Sequence, residues 1–180
     1  MHYAELNDAW AELTAPGAAF EIAEIEVRGA RIRSFKNAPP SVREVWLSTL
    51  PFAERDYLVY EGERFTYADA HAQVASIANW MLAQGVKPGD RIAVAMRNFP
   101  EWMLIYWAGC CIGVAVVGMN AWWTAPEMAY GLKDSEPKLV FADEERIARI
   151  NEDPAMLGGA RLVAVRADAL PAGATPWSEV

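Results

Sequence analysis

Few residues in this chain combine a reactive type with a telling neighbourhood. Trp122 and Trp123 adjoin, a few residues beyond the apolar run Val114-Ala115-Val116-Val117. Two adjacent indoles are hard to bury on one sheet face, so they are candidates for a pocket rim or a partner interface at the edge where α/β proteins take ligands. Ordinary core packing is the competing reading. Asp143 ends the run Lys138-Leu139-Val140-Phe141-Ala142, where a carboxylate could hold a ribose in a dinucleotide fold. That role requires Gly-x-Gly-x-x-Gly after the first strand. Arg97-Asn98-Phe99-Pro100 stands there instead, so helix capping accounts better for Asp143. Cys110 and Cys111 have no cation beside them in sequence to lower a thiol pKa and read as small buried residues. His2 and His71 lack companions at ligand spacing, which predicts no metal site. There is no Gly-x-x-x-x-Gly-Lys-Ser/Thr, no Gly-x-Ser-x-Gly and no clustered acid pair with a positioned base. Lys36, Lys87, Lys133 and Lys138 are the only lysines, and none lies in a glycine-rich loop. No residue is assigned a catalytic, cofactor-binding or metal-binding role on this reading.

The elements that carry these residues are sharply punctuated. A turn, Gly85-Val86-Lys87-Pro88-Gly89-Asp90, leads into the apolar run Arg91–Met96. Asn98-Phe99-Pro100-Glu101 then opens a helix, with Asn98 as cap and Glu101 where a capping box places its acid. The device returns at Thr124-Ala125-Pro126-Glu127. Short β-branched runs alternating with helices predict parallel strands Arg91–Met96, Val114–Val117 and Lys138–Ala142, covered on both faces. The stretch Trp102–Met119 carries no charge, long enough to raise a membrane helix. Gly113 and Gly118 interrupt it and its second half is Val-rich, so helix-then-strand is the expectation. Gly109-x-x-x-Gly113 reads as close packing of that helix on the sheet.

Upstream, residues 3–13 form a short helix stopped at Pro16-Gly17, and no element is assigned to Ala18–Arg33 despite patches of alternation. Asn37-Ala38-Pro39-Pro40-Ser41 is a break, and Ser41 with Glu44 starts a helix through Leu50, ended by Pro51. Asp56–Tyr60 and Arg64–Tyr67 form a hairpin with Gly62 in its turn. Thr66 and Asp69 make a capping box for a helix whose apolar face is Ala70, Val74, Ile77 and Met81, stopped at Gly85. Beyond Asp143 come a helix through Ile150, a Gly158-Gly159 turn, a strand Arg161–Val165, and an irregular tail. The expected divisions are 1–55 (helices and an extended segment), 56–166 (an α/β core) and 167–180 (the tail).

The succession GVKPGDRIAVAMRNFPEW, a small-residue helix, then GVAVVGMNAWWTAPEMAYGLKDSEPKLVFAD resembles the N-terminal part of the adenylate-forming enzymes. More narrowly it is similar to acyl-CoA synthetases that activate fatty acids. The match reaches back through Tyr57–Gln84 and departs at Gly118, where such chains usually carry Pro. The resemblance implies an α/β fold, mainly a parallel sheet with helices on both faces plus an N-terminal hairpin. It implies a full-length enzyme that joins a carboxylic acid to AMP, releases pyrophosphate and passes the acyl group to CoA, using ATP and Mg²⁺. In that family the phosphates are held by a loop of the type YTSGTTGxPKG, which follows the region matched. No catalytic residue of the family therefore maps onto this chain, which is expected to be a truncated N-terminal domain, a scaffold inactive alone. Its partners would be the remainder of its own polypeptide and further copies of itself. The other reading is a self-sufficient, non-catalytic α/β interaction or oligomerisation module.

Composition bounds both readings. The 180 residues, 53% hydrophobic and 22% charged, are globular. A net charge of −8 without a basic block argues against nucleic acid. Two neighbouring cysteines make no disulfide framework, and the first residues lack a basic-then-apolar leader, which predicts a cytoplasmic protein.

Overall fold

The computed structural model describes residues 3–180. These divide into two compact units, one ending at Ser41 and the other running from Val42 to Val180. In the first, helix α1 (Tyr3–Thr14) precedes an antiparallel hairpin of β1 (Ile22–Val27) and β2 (Ala30–Phe35). The hairpin occupies the stretch to which the sequence reading assigned no element. Ala23, Ile25 and Val27 alternate with Glu24 and Glu26, the period of a strand with one neutral face. Its turn puts Arg28 at φ 51° and Gly29 at φ 81°, the twist that two-residue hairpin loops require. Arg-Gly is a weaker turn signal than Asn-Gly, which is why the hairpin was hidden.

The second unit begins with α2 (Val42–Leu47), shorter than expected. The hydroxyls of Ser48 and Thr49 bond back to the carbonyls of Val45 and Trp46, and Pro51 sits inside a separate 3-10 turn, Leu50–Phe52. Strands β3 (Asp56–Tyr60) and β4 (Glu63–Thr66) form the predicted hairpin, a two-stranded sheet of its own. Thr66 and Asp69 close their capping box on α3 (Tyr67–Ala83), and Ala70, Val74, Ile77 and Met81 are all buried along it. Gly85, at φ 83°, lets the chain leave the helix.

The remaining strands are β5 (Arg91–Ala95), β6 (Ala115–Gly118), β7 (Leu139–Asp143), β8 (Arg161–Val165) and β9 (Thr175–Pro176), in one parallel sheet of order β6-β5-β7-β8-β9. Helices α4 (Pro100–Cys111), α5 (Ala125–Ser135) and α6 (Glu144–Glu152) make the crossovers. The fifth strand corrects the expectation of an irregular tail over residues 167–180: Thr175 and Pro176 pair with Val163 and Ala164, and Trp177 packs edge-on against Phe141.

The pleat divides the core. Ile92, Val94 and Met96 face the layer that includes α3 and α4, whereas Ala93 and Ala95 face the layer of α5 and α6. The residues from Trp102 to Met119 are helix then strand, and among the described residues no helix is long and apolar enough to cross a membrane. Gly109 shows why the helix lies so close to the sheet: a Cβ there would meet Val116 Cγ2 at 2.6 Å. Gly113, at φ 73°, turns the chain from α4 toward β6.

Candidate functional site

Strand order defines where a site can be. The chain leaves β5 toward one edge of the sheet and leaves β7 toward the other, so the carboxyl ends of these adjacent strands form the switch point at which open α/β sheets bind ligands. Asp143 ends β7 at this point and is buried. One oxygen accepts the Arg97 amide at 2.9 Å and the other accepts the Arg146 amide at 3.1 Å, so Asp143 caps α6, as its position implied. The same carboxylate receives Arg146 Nη1 at 3.0 and 2.9 Å.

Arg146 is 1% exposed and its second function is to hold a loop. Its Nε and Nη2 donate to the Ala121 carbonyl at 2.9 and 2.6 Å. Arg149 Nη1 donates to the same carbonyl at 2.8 Å and to that of Trp123 at 2.9 Å. The loop after β6 is therefore clamped onto α6 by two guanidinium groups, with fixed geometry that lysines could not supply.

The clamp separates the two indoles. Trp123 turns inward, where it lies over Gly131: a Cβ on that glycine would meet the ring at 2.8 Å. Trp122 is 71% exposed, and the Arg97 guanidinium sits 4.1 Å from its ring centroid. The pair offers a cation on an aromatic plate at the switch point.

A second charged cluster lies at the amino end of α4. Phe99, not Asn98, occupies the cap position, and no side chain caps this helix. Glu101, expected in a capping box, is instead nearly buried and receives Arg166 Nε on both oxygens at 2.9 Å. Arg97's backbone bond to Asp143 and this ion pair explain the departure: the turn is fixed from the sheet rather than by its own cap. The device at Thr124 did form, with the Glu127 carboxylate accepting the Thr124 amide and hydroxyl at 2.8 Å each.

Elsewhere the candidates are structural. Cys110 and Cys111 are half-buried, and burial pushes both thiols above their ordinary pKa. His71 stacks on Trp46 at 4.1 Å, and His2 lies outside the described residues. Among the described residues no cluster of His, Cys, Asp and Glu could hold a metal ion. The arginines at positions 97, 146, 149 and 166 are what sequence reasoning missed. The available signal was Asp143 three residues before Arg146 at a strand end, a spacing that pairs them across the first helical turn.

The profile described as AMP-binding enzyme matches residues 44–179, and this chain belongs to that family. Within it the chain resembles acyl-CoA ligases. Medium-chain fatty-acid–CoA ligase of Escherichia coli (strain K12) is 35% identical over 81 residues, 45% of this chain and 14% of that one. Feruloyl-CoA synthase of Amycolatopsis sp is 33% identical over 111 residues, 62% of this chain and 22% of that one. Among solved structures, coronafacic acid ligase from Pectobacterium brasiliense superposes with a TM-score of 0.71 at 16% identity, over 77% of this chain and 29% of that one. A fatty acyl-CoA synthetase of Mycobacterium tuberculosis gives 0.65 at 23%, over 74% and 30%. The last two show the fold alone. The chain thus spans only a fraction of these relatives, between 14% and 22% of the two ligases.

Proposed function

We propose that these residues are the N-terminal scaffold of an AMP-forming acid–CoA ligase, which joins a carboxylic acid to AMP with loss of pyrophosphate and then forms the CoA thioester. The observation that carries this reading is that the family match, residues 44–179, falls on the parallel-sheet unit. The acid would be a fatty acid, by similarity to the medium-chain fatty-acid–CoA ligase, and the protein would work in the cytoplasm. In the whole enzyme ATP, Mg²⁺ and CoA would bind, with the metal neutralising phosphate charge.

The residues described here do not by themselves fit Mg²⁺ or a triphosphate. Asp143 is committed to Arg97 and Arg146, and Glu101 to Arg166. A carboxylate already saturated by a guanidinium is a poor metal ligand, because binding would strand a buried cation. Their contribution is therefore positional: they fix the carboxyl edge of the sheet on which other parts of the polypeptide assemble, with the exposed Trp122 at its rim and Trp123 packed beneath.

The test is ATP–pyrophosphate exchange by residues 1–180 with a panel of carboxylic acids, beside calorimetry with ATP. No exchange and no measurable heat are expected, since adenylation needs a phosphate cradle and an aligned acyl site. Exchange above a buffer blank, lost on substituting a residue within 1–180, would overturn the scaffold reading.

A further inference from the structure

The hairpin β3–β4 shares no backbone ladder with the parallel sheet, and an isolated two-stranded hairpin is marginal in water. Its two ends are held by different forces. At the base, the Tyr57 hydroxyl accepts Trp107 Nε1 at 2.6 Å, and its ring packs on Trp46 at 5.4 Å and on Tyr67 at 4.7 Å. The Tyr67 amide also bonds to the Arg55 carbonyl at 2.9 Å. That end is aromatic and anchored between helices.

The tip is held by charge. Glu63 receives Arg166 Nη1 and Nη2 at 2.7 and 2.8 Å, while the same guanidinium gives Nε to Glu101 on α4. Arg166 lies 5.3 Å from the Tyr60 ring and 5.1 Å from that of Phe99, which themselves meet edge-on at 5.7 Å. To reach all four it adopts φ 49°, a left-handed conformation unusual for a side chain of its size. Such strain persists where surrounding contacts over-determine it.

Of these residues, Tyr60 and Phe99 border a groove of 360 Å³ between the hairpin and the start of α4. Leu58, Val59 and Tyr60 make one wall, and Phe99, Trp102 and Met103 the other. Arg166 thus binds one partner on each wall. We propose that the Glu63–Arg166–Glu101 triad is a latch: it closes the hairpin tip against α4 and sets the width of this groove, while the aromatic base acts as the hinge. Release of the latch frees the tip without unfolding the sheet, because the hydrogen bonds of β5 to β6 and β7 do not pass through it.

The partial exposure of the triad makes it sensitive to salt as well as to substitution. Amide hydrogen exchange on the 1–180 chain reads the latch directly. In Arg166→Gln, the amides of residues 58–65 exchange about ten-fold faster, and in Glu63→Gln about three-fold faster, for the loss of charge-assisted bonds of this kind. In both, α3 and β5 keep their native protection, and added salt moves the native chain in the same direction. Unchanged exchange at the tip in Glu63→Gln overturns the latch. So does acceleration of tip, α3 and β5 together, which would make the triad a general brace. Should Arg166→Gln fail to fold, Glu63→Gln decides alone, since it leaves Arg166 paired with Glu101.

Discussion

Arg146 and Asp143 lie at 1% and 5% side-chain exposure with 2.9 Å between them. A buried ion pair is not a reservoir of stability, since desolvation offsets most of its attraction. Breaking it is another matter. Arg146→Ala leaves the buried Asp143 carboxylate without its cation and takes two of three donors from the Ala121 carbonyl, and is expected to cost about 3–5 kcal/mol in denaturant titration. Replacing both partners with apolar residues of similar volume should cost far less, and equal losses in the single and double variants would refute this account. At this scale the sequence was half legible. Asp143 was readable as a cap because it follows an apolar run. Arg146 was not, because in the run Glu144-Glu145-Arg146-Ile147-Ala148-Arg149 a charged residue reads as a solvated face. Only the crossing of the β6 loop over α6 buries it.

Between elements, His71 joins α3 to α2. The Thr49 hydroxyl donates to the Trp46 carbonyl at 2.7 Å, so toward His71 Nε2, at 2.9 Å, it is the acceptor. The Nε2–H tautomer follows. Burial holds the imidazole below its ordinary pKa. The unfolded chain therefore takes up the proton first as the pH falls. The folded state keeps its full margin above about pH 6.5 and loses part of it as the pH drops from there toward the lower folded value. Denaturant titrations on either side of that window should show a larger loss for the native chain than for His71→Gln. Parallel slopes would mean that His71 does not titrate differently on folding. Elements of this kind were the most legible level of the molecule: the box at Thr66, the apolar face of α3 and three parallel strands all follow from local pattern. The hairpin β1–β2 and the short β9 did not. The first has an inconspicuous turn, and the second has only two residues, held by its neighbour β8 rather than by any propensity of its own.

At the scale of the whole molecule, the first unit is unusual in burying so little. Helix α1 has no buried residue, and Trp10, Leu13, Ile25 and Ile32 are all exposed. Large apolar side chains left in water in this number favour association. Light scattering on the 1–180 chain at micromolar concentration is expected to show self-association, reduced by Ile25→Glu with Ile32→Lys. A monodisperse monomer would argue that these side chains carry no interface. The fold class was legible here because parallel strands buried on both faces leave a distinctive rhythm. The break before Val42 was legible in the prolines of Asn37-Ala38-Pro39-Pro40-Ser41, although the expected division stood at residue 55.

The strand order β6-β5-β7-β8-β9 has a consequence for biosynthesis. Strand β6 pairs with β5, β7 with β5, β8 with β7 and β9 with β8. Every strand after the first finds its neighbour already translated. None of these five strands has to be inserted between two others. A nascent chain leaving the ribosome from its N-terminus can therefore lay this sheet down in the order in which it is read.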